Sequence, residues 1–361
     1  QWLVAQYFIK RILYACLILW GVISLVFILF NIVPGDPARM LMGQRSDVAS
    51  LEAIRADLGL NRSKGLQYIK YLNDFSPISY HSTDSSNYFY LNKTKYSPYI
   101  TLIITNNQRL VLKPPYLRQS YQSKKPVTSI IIETIPNTFI LAFVSIVFAA
   151  FAGIFLGILA AIYKDSLYDR LSIFFSAFGM SLPSFFAAIL IGWIFAFVLG
   201  EYTGLNLTGN LYEIDDFGRG VHLELKNLIL PAFTLGIRPL AIVIQLSRNS
   251  MLDVLSQDYI RTARAKGLKF SSVLFKHALR NSLNPVITAV SGWFASLMAG
   301  IVFVEYIFGW KGLGYVIVDA LNKYDLPVVM GSVVTISILF ITINVLVDLV
   351  YTMLDPRIRL H

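Results

Sequence analysis

Between Arg170 and Glu201 the chain carries no charged side chain. About 20 helical residues cross a hydrocarbon core of about 30 Å, and this run, at residues 171–199, is longer than that. In lipid the backbone has no water to bond to, so a spanning segment of this kind must satisfy its own donors and acceptors as a helix. Five further apolar runs, near residues 12–33, 138–163, 228–246, 286–308 and 328–353, fall in the same length class. A soluble domain of 361 residues would not hold so many, and a composition of 55% hydrophobic and 14% charged residues agrees. The pattern predicts an all-α polytopic membrane protein with six transmembrane helices.

Charge sets the expected topology. Lys10-Arg11 precedes the first run, which places the N-terminus in the cytoplasm. Six spans then return the C-terminus, with Asp355-Pro356-Arg357, to the same side. Arg248, Arg261, Arg264, Lys266, Lys269, Lys276 and Arg280 also fall inside, as the charge rule requires. The formal net charge of +10 fits this topology and anionic lipid headgroups; no stacking-aromatic motif of a nucleic-acid module accompanies it. The single cysteine, Cys16, excludes an intrachain disulfide. Pro34-Gly35-Asp36-Pro37 stops the first helix and does not resemble a cleavage site for a signal peptide.

Three regions follow: residues 1–33, with the first span; residues 34–134, polar and extracytoplasmic; and residues 135–361, a five-helix core. The polar region predicts short amphipathic helices around 51–60 and 67–72. Two β-rich runs, Ile100–Thr105 and Gln108–Leu112, flank Asn106-Asn107 and predict a hairpin. Glu133 to Thr138 is expected to lead into the second span. Gly153 and Gly157 on that span form a small-residue face for close helix packing.

Within the spans, Ser181-Leu182-Pro183-Ser184 interrupts the third run, where proline bends a helix and frees a carbonyl. Arg238-Pro239 puts a cation deep in the fourth; it either lines a solute path or forms a structural pair or snorkels to an interface. Pro183, Ser184, Arg238 and Gln245 are the candidate translocation-path residues. Gly309-Trp310-Lys311-Gly312-Leu313-Gly314 lacks phosphate-loop spacing and a preceding strand, so it reads as an outer re-entrant turn. Asn344 and Asp348 lie in the sixth span.

One charged island separates the fourth and fifth runs. Asp258-Tyr259-Ile260-Arg261-Thr262-Ala263-Arg264-Ala265-Lys266 favours helix, and Gly267 suits the left-handed residue that ends one. Ser271 and Ser272 are expected to cap a second short helix through about Asn281, closed at Asn284-Pro285. Ala263, Ala265 and Gly267 would leave a thin surface for another protein. The plainer alternative is a solvated basic loop that only fixes topology.

The run from Thr262 to Gly267, with His277-Ala278-Leu279-Arg280-Asn281 and Pro285, resembles the coupling segment of binding-protein-dependent ABC importer permeases, within the oligopeptide/dipeptide/nickel permease family. Pro34-Gly35-Asp36-Pro37-Ala38, Ser181 to Phe186, Leu230-Pro231-Ala232, Gly312-Leu313-Gly314 and Asp355-Pro356-Arg357 resemble its other landmarks in order. Arg261-Thr262-Ala263 stands where the general pattern has Glu-Ala-Ala, a departure usual in the peptide branch. The resemblance implies a non-catalytic permease subunit in the bacterial inner membrane. Its partners would be a second homologous permease, two ABC ATPase subunits, an extracytoplasmic solute-binding protein and membrane lipids.

ATP and magnesium would bind the ATPases, with no cofactor or metal on this chain. ATPase coupling would rest on Tyr259, Arg261, Thr262, Ala263, Arg264, Ala265, Lys266, Gly267, His277, Arg280 and Asn281, within a segment at about 252–284. Relatives are usually shorter at residues 77–125, which therefore resemble an extracytoplasmic insertion of mixed α/β character. It would contact the binding protein or be a lineage-specific decoration. Di- or oligopeptide is the expected cargo, with nickel or another small solute as the alternative. A stand-alone secondary transporter or channel is the rival class. It would show a repeated half or paired broken helices, and the sequence displays neither.

Overall fold

The computed structural model describes residues 2–32, 52, 55, 59–214 and 220–354. The turn at 34–37, most of the helix expected at 51–60, the side chain of Asp348 and the C-terminal Asp355-Pro356-Arg357 lie outside that set. The chain divides into two units, one of residues 1–133 and 316–338, the other of residues 134–315 and 339–361.

The first unit begins with α1 (Trp2–Asn31), which already contains Lys10-Arg11. After it, α2 (Lys64–Phe75) is capped by Ser63, whose side chain accepts from Leu66 N–H. Lys64 donates to the Asn31 carbonyl at 2.7 Å and ties α2 to the end of α1. Val26, Phe27, Tyr71, Phe75, Met330 and Val334 form the shared apolar core. The expected hairpin is present as β2 (Ile100–Thr105) and β3 (Gln108–Leu112). Sequence reading missed its third strand, β1 (Ile78–Ser82), which pairs antiparallel with β3 so that the order is β1-β3-β2. A short helix, α3 (Lys93–Tyr96), capped by Asn92, precedes β2.

A long helix, α4 (Val127–Ile162), runs from this unit into the second. Glu133 to Asn137 is therefore inside a helix, not a lead-in to one. Val127 and Ile131 are buried and extend the apolar run backwards, and Pro136 is accommodated within the helix.

In the second unit, α5 (Leu167–Ser181) and α6 (Ser184–Gly192) meet at Pro183. A π-helical stretch, Trp193–Val198, continues α6. The two halves differ in direction by 111°, far more than a proline bend. Short α7 (Gly200–Thr203) and the strand pair β4 (Tyr212–Ile214) and β5 (Val221–Leu223) follow. The next helix, α8 (Lys226–Leu255), runs through Pro231 and Pro239 and packs against α5, α6 and α11 (Leu279–Ile307). Gly153 and Gly157 serve this packing. A Cβ on Gly153 would lie 2.7 Å from Val243, and one on Gly157 would lie 2.7 Å from the Ser247 Cβ.

The five-residue turn between α11 and the next helix, residues 308–312, is held from several sides. Trp310 is buried and its indole donates to the Asn137 carbonyl at 3.0 Å, while Leu313 N–H donates to Thr138 Oγ1 at 2.8 Å. Helix α12 (Leu313–Asn322) follows, and Glu305, fully buried, accepts from Gly314 N–H at 2.7 Å in its first turn. Gly312 leaves room for that carboxylate. The last described helix is α13 (Leu326–Leu354).

Among the described residues four helices are long and apolar enough to cross a membrane. The count reaches six when each of two bent pairs forms one span. The second bent pair, Phe270–Met298 with Gly300–Ile307 at 60°, was not anticipated from the sequence, which signals a break only at Pro183.

Candidate functional site

The island between α8 and α11 folds as a braced unit. α9 (Asp258–Ala265) carries Asp258 in its first turn and Arg264 in its last, each at the end of the helix dipole that favours it. Gly267 has φ +76°, its N–H donates to the Arg264 carbonyl at 2.9 Å, and Leu268 N–H reaches the Ala263 carbonyl at 3.4 Å. These are the two bonds of a Schellman stop, and glycine is the residue that adopts its left-handed position without strain. Nothing lies within 4 Å of a Cβ built on Gly267, so its smallness meets no need within this chain beyond the φ angle.

The second half differs from its expectation. A short α10 (Phe270–Ser272) starts after Lys269, with no side-chain cap from Ser271 or Ser272. It passes through a π-helical stretch, Val273–Ala278, directly into α11. Asn284-Pro285 does not close a helix; Pro285 lies inside α11, in a helical run continuous from Phe270, and the helix forgoes one i→i−4 bond there without ending.

Ala263 is also placed differently. It is 8% exposed and faces inward with Ile260, against Ala161, Met251, Val273, Leu274 and Ala278. Its small side chain serves the chain's own packing, so the thin outer surface consists of Ala265 and Gly267, which are exposed. A strut crosses the two halves: Asn281 Nδ2 donates to Tyr259 Oη at 2.9 Å and to the His277 carbonyl at 3.3 Å. Ser250 Oγ donates to the Ser282 carbonyl at 2.8 Å and fixes α8 to α11 beside it.

What remains outward is cationic and apolar. Arg261, Thr262, Arg264, Lys266 and Arg280 are exposed. Thr262 Oγ1 bonds back to the Asp258 carbonyl, and Arg261 pairs with Asp258 at 3.5 Å with both side chains in solvent, a contact of little strength. Tyr259, Leu268, Phe270 and Phe275 add exposed apolar area, with Phe275 at 63%. Sequence reading missed Leu268, Phe270 and Phe275. The sequence did show three large apolar residues, Leu268, Phe270 and Phe275, within eight positions of a charged segment.

The path candidates are not brought together as a site. Pro183 is exposed at the α5–α6 break and Ser184 is half-buried. Arg238 and Gln245 stand on one face of α8, two turns apart, the first exposed on the single chain and the second half-buried. Among the described residues no hydrogen bond or ion pair links the four. A polar pair unmarked by sequence reading does join two helices. Arg248 Nε and Nη2 reach Asp169 Oδ1 and Oδ2 at 2.5 Å and 2.7 Å, with Asp169 2% exposed. That pair anchors α5 to α8 close to the island.

Residues 153–360 match the family described as "Binding-protein-dependent transport system inner membrane component", and residues 4–85 match its N-terminal companion. The chain belongs to this permease family. It is 31% identical to a dipeptide transport system permease of Alkalihalophilus pseudofirmus, covering 98% of this chain and 99% of that one. It is 34% identical to a glutathione transport system permease of Pectobacterium atrosepticum, again over 98% and 99%. An oligopeptide transport system permease of Bacillus subtilis is 32% identical over the same shares. The family match covers α5 to α13 and so contains the island, the α5–α6 break and the turn after α11. It makes the protein an inner-membrane, multi-pass ABC transporter permease, and the rival reading as a stand-alone carrier or channel is not favoured despite the second bent helix pair.

Proposed function

We propose that the chain is the translocation subunit of an ATP-driven importer of di- or oligopeptides. It forms half of the pathway with a second homologous permease and is driven by two cytoplasmic ATPases. The island from Asp258 to Asn281 docks on an ATPase, and the polar region after α1 faces outward toward a solute-binding protein. One observation carries the coupling assignment. The segment is stiffened internally by the Schellman stop, the Tyr259–Asn281 strut and the Met251–Ile260 core, yet presents cations and the rings of Phe270 and Phe275 outward. A rigid element with an apolar, unpartnered face is what a coupling lever requires. Peptide is the favoured cargo because the relatives above are named for dipeptide, glutathione and oligopeptide transport.

The decisive experiment co-expresses the tagged chain with the companion permease and ATPases and reconstitutes the purified complex. Two ATPases should co-purify, and ATP hydrolysis should rise when peptide-loaded binding protein is added. Purification of the chain without ATPases, or transport that persists in their absence, would overturn the reading.

A further inference from the structure

The first unit contains a cleft of about 640 Å³ that the coupling scheme does not use. This volume lies within the range of about 300–1,000 Å³ common for small-molecule sites. Its lining holds four cationic side chains, Lys70, Lys95, Arg118 and Lys124, against one carboxylate, Asp74. That carboxylate is already engaged. It is 2% exposed, accepts from Tyr96 Oη at 2.7 Å and pairs with Lys70 at 3.1 Å. Lys113, beneath it, donates to the Asp74 and Ser76 carbonyls. The acid pairs with the buried lysine beside it and its charge also reaches Arg118, so the four cations of the lining outnumber the one carboxylate.

Arg118 is the informative residue. Its guanidinium lies over the Tyr71 ring at 5.3 Å, and among the described residues no acceptor hydrogen-bonds to it. Arg118 also has φ +67°, a left-handed conformation that a long side chain adopts at a cost of about 1–2 kcal/mol. A half-buried arginine whose guanidinium has no hydrogen-bond partner among the described residues suits a planar anion, which it can grip with two parallel bonds. The surrounding phenols suit the same role. Tyr96 and Tyr116 are both held protonated, mainly by burial and then by the Asp74 charge, with Tyr116 pushed up to about 12. The Tyr96 proton is already given to Asp74, so Tyr116 is the phenol left to donate to an anion, and both rings offer flat apolar walls to whatever carries it.

We infer that this cleft binds the carboxylate of a small solute, with Arg118 as the principal contact, and that the solute is a short peptide. The charge preference rests on the cleft itself; the peptide body rests on the function proposed above. This site would belong to the permease chain itself, separate from the solute-binding protein.

The test titrates the full chain in lipid nanodiscs with N-acetyl-trialanine and with its C-terminal amide, which differ only in the carboxylate. The acid should bind at least tenfold more tightly, and its affinity should fall as salt rises. Arg118→Gln should remove the preference, and Lys124→Gln, an exposed substitution that cannot unfold the unit, should weaken the acid two- to threefold. Equal affinity for acid and amide, or no binding of either, overturns the inference, as does a preference that survives in folded Arg118→Gln. If that variant misfolds, the wild-type comparison and Lys124→Gln still decide. Peptide-stimulated hydrolysis by the assembled transporter is read separately. Stimulation without acid preference sinks the cleft alone, and acid preference without stimulation sinks the peptide-importer reading alone.

Discussion

Gly267 and Ala263 were grouped by sequence as two small residues on one thin surface, and the structure assigns them opposite work. That contrast yields a test of docking that controls for folding. A side chain at 267 meets nothing within 4 Å in this chain, so Gly267→Asn incurs only the left-handed φ of +76°, which asparagine tolerates better than most residues. Its stability cost should stay below about 1 kcal/mol. Ala263→Leu instead forces three extra heavy atoms into the cluster of Ala161, Met251, Ile260 and Val273, an overpacking that typically costs about 1–3 kcal/mol. Both variants are read for thermal unfolding and for retention of ATPase on the tagged complex. Gly267→Asn should unfold like the parent while losing ATPase tenfold or more, because a clash of about 1.4 kcal/mol in a docked groove is a factor of ten. Ala263→Leu should lose thermal stability first and ATPase as a consequence. Normal ATPase retention by Gly267→Asn would leave the island a topology signal only, and an unchanged unfolding temperature for Ala263→Leu would refute the inward placement. Lys266→Ala, exposed, serves as the mild control.

Asp169→Asn should lower stability by about 3 kcal/mol, because it leaves the Arg248 guanidinium, 15% exposed, without its charge partner; Asp169→Asn with Arg248→Gln should recover part of that loss, and no recovery in a double-mutant cycle would deny the pair. Gly157→Val should disrupt the α4–α8 contact and reduce accumulation in the membrane, whereas Gly21→Val, where a Cβ meets nothing, should not; equal accumulation of the two counts against the packing role. His81 is fully buried, and burial, with Lys70 and Lys113 nearby, lowers its pKa from 6.5 to about 4. The unfolded state therefore binds the extra proton between those values, so stability is complete above pH 6.5 and falls by about 3 kcal/mol as pH drops to 4. Hydrogen exchange over β1–β3 should show this slope, and an identical slope in His81→Gln would exclude His81 as its source.

Features governed by local chemistry were legible in the sequence. Asn106-Asn107 between two strand-forming runs marked the hairpin, Gly267 marked the helix stop, and Gly153 with Gly157 marked a close helix approach, which the structure makes with α8. Features set by neighbours were not. Ala263 could face either way until the partners of α9 were known. Ser271 and Ser272 have capping chemistry, but α10 begins at Phe270 and leaves both inside a helix. Pro285 reads as a helix boundary in sequence, but the run from Phe270 into α11 carries it inside at the loss of one i→i−4 bond. β1 escaped notice because Ile78-Ser79-Tyr80-His81-Ser82 is too polar to read as a strand until β3 supplies its ladder. Asp169 and Arg248 are separated by 79 positions, a distance at which no pattern in a single sequence pairs them.

The same placement fits the proposed lever better than a loop. Its inner face is continuous with α8 through Met251 and Ile260, and, through Val273, Leu274 and Ala278, with the π-helical stretch that runs into α11. Motion of α9 therefore displaces packed side chains on two long helices, and a close-packed interior transmits such a displacement without absorbing it. The Ser250–Ser282 bond and the Asp169–Arg248 pair carry it laterally, the first between α8 and α11, the second from α8 to α5. At its far end α5 meets the 111° break at Pro183, where direction changes and a backbone carbonyl is freed. A solvated basic loop would need none of these ties, because charge alone orients a span. The internal bracing is thus the feature that a topology signal leaves unexplained and that a mechanical linkage requires.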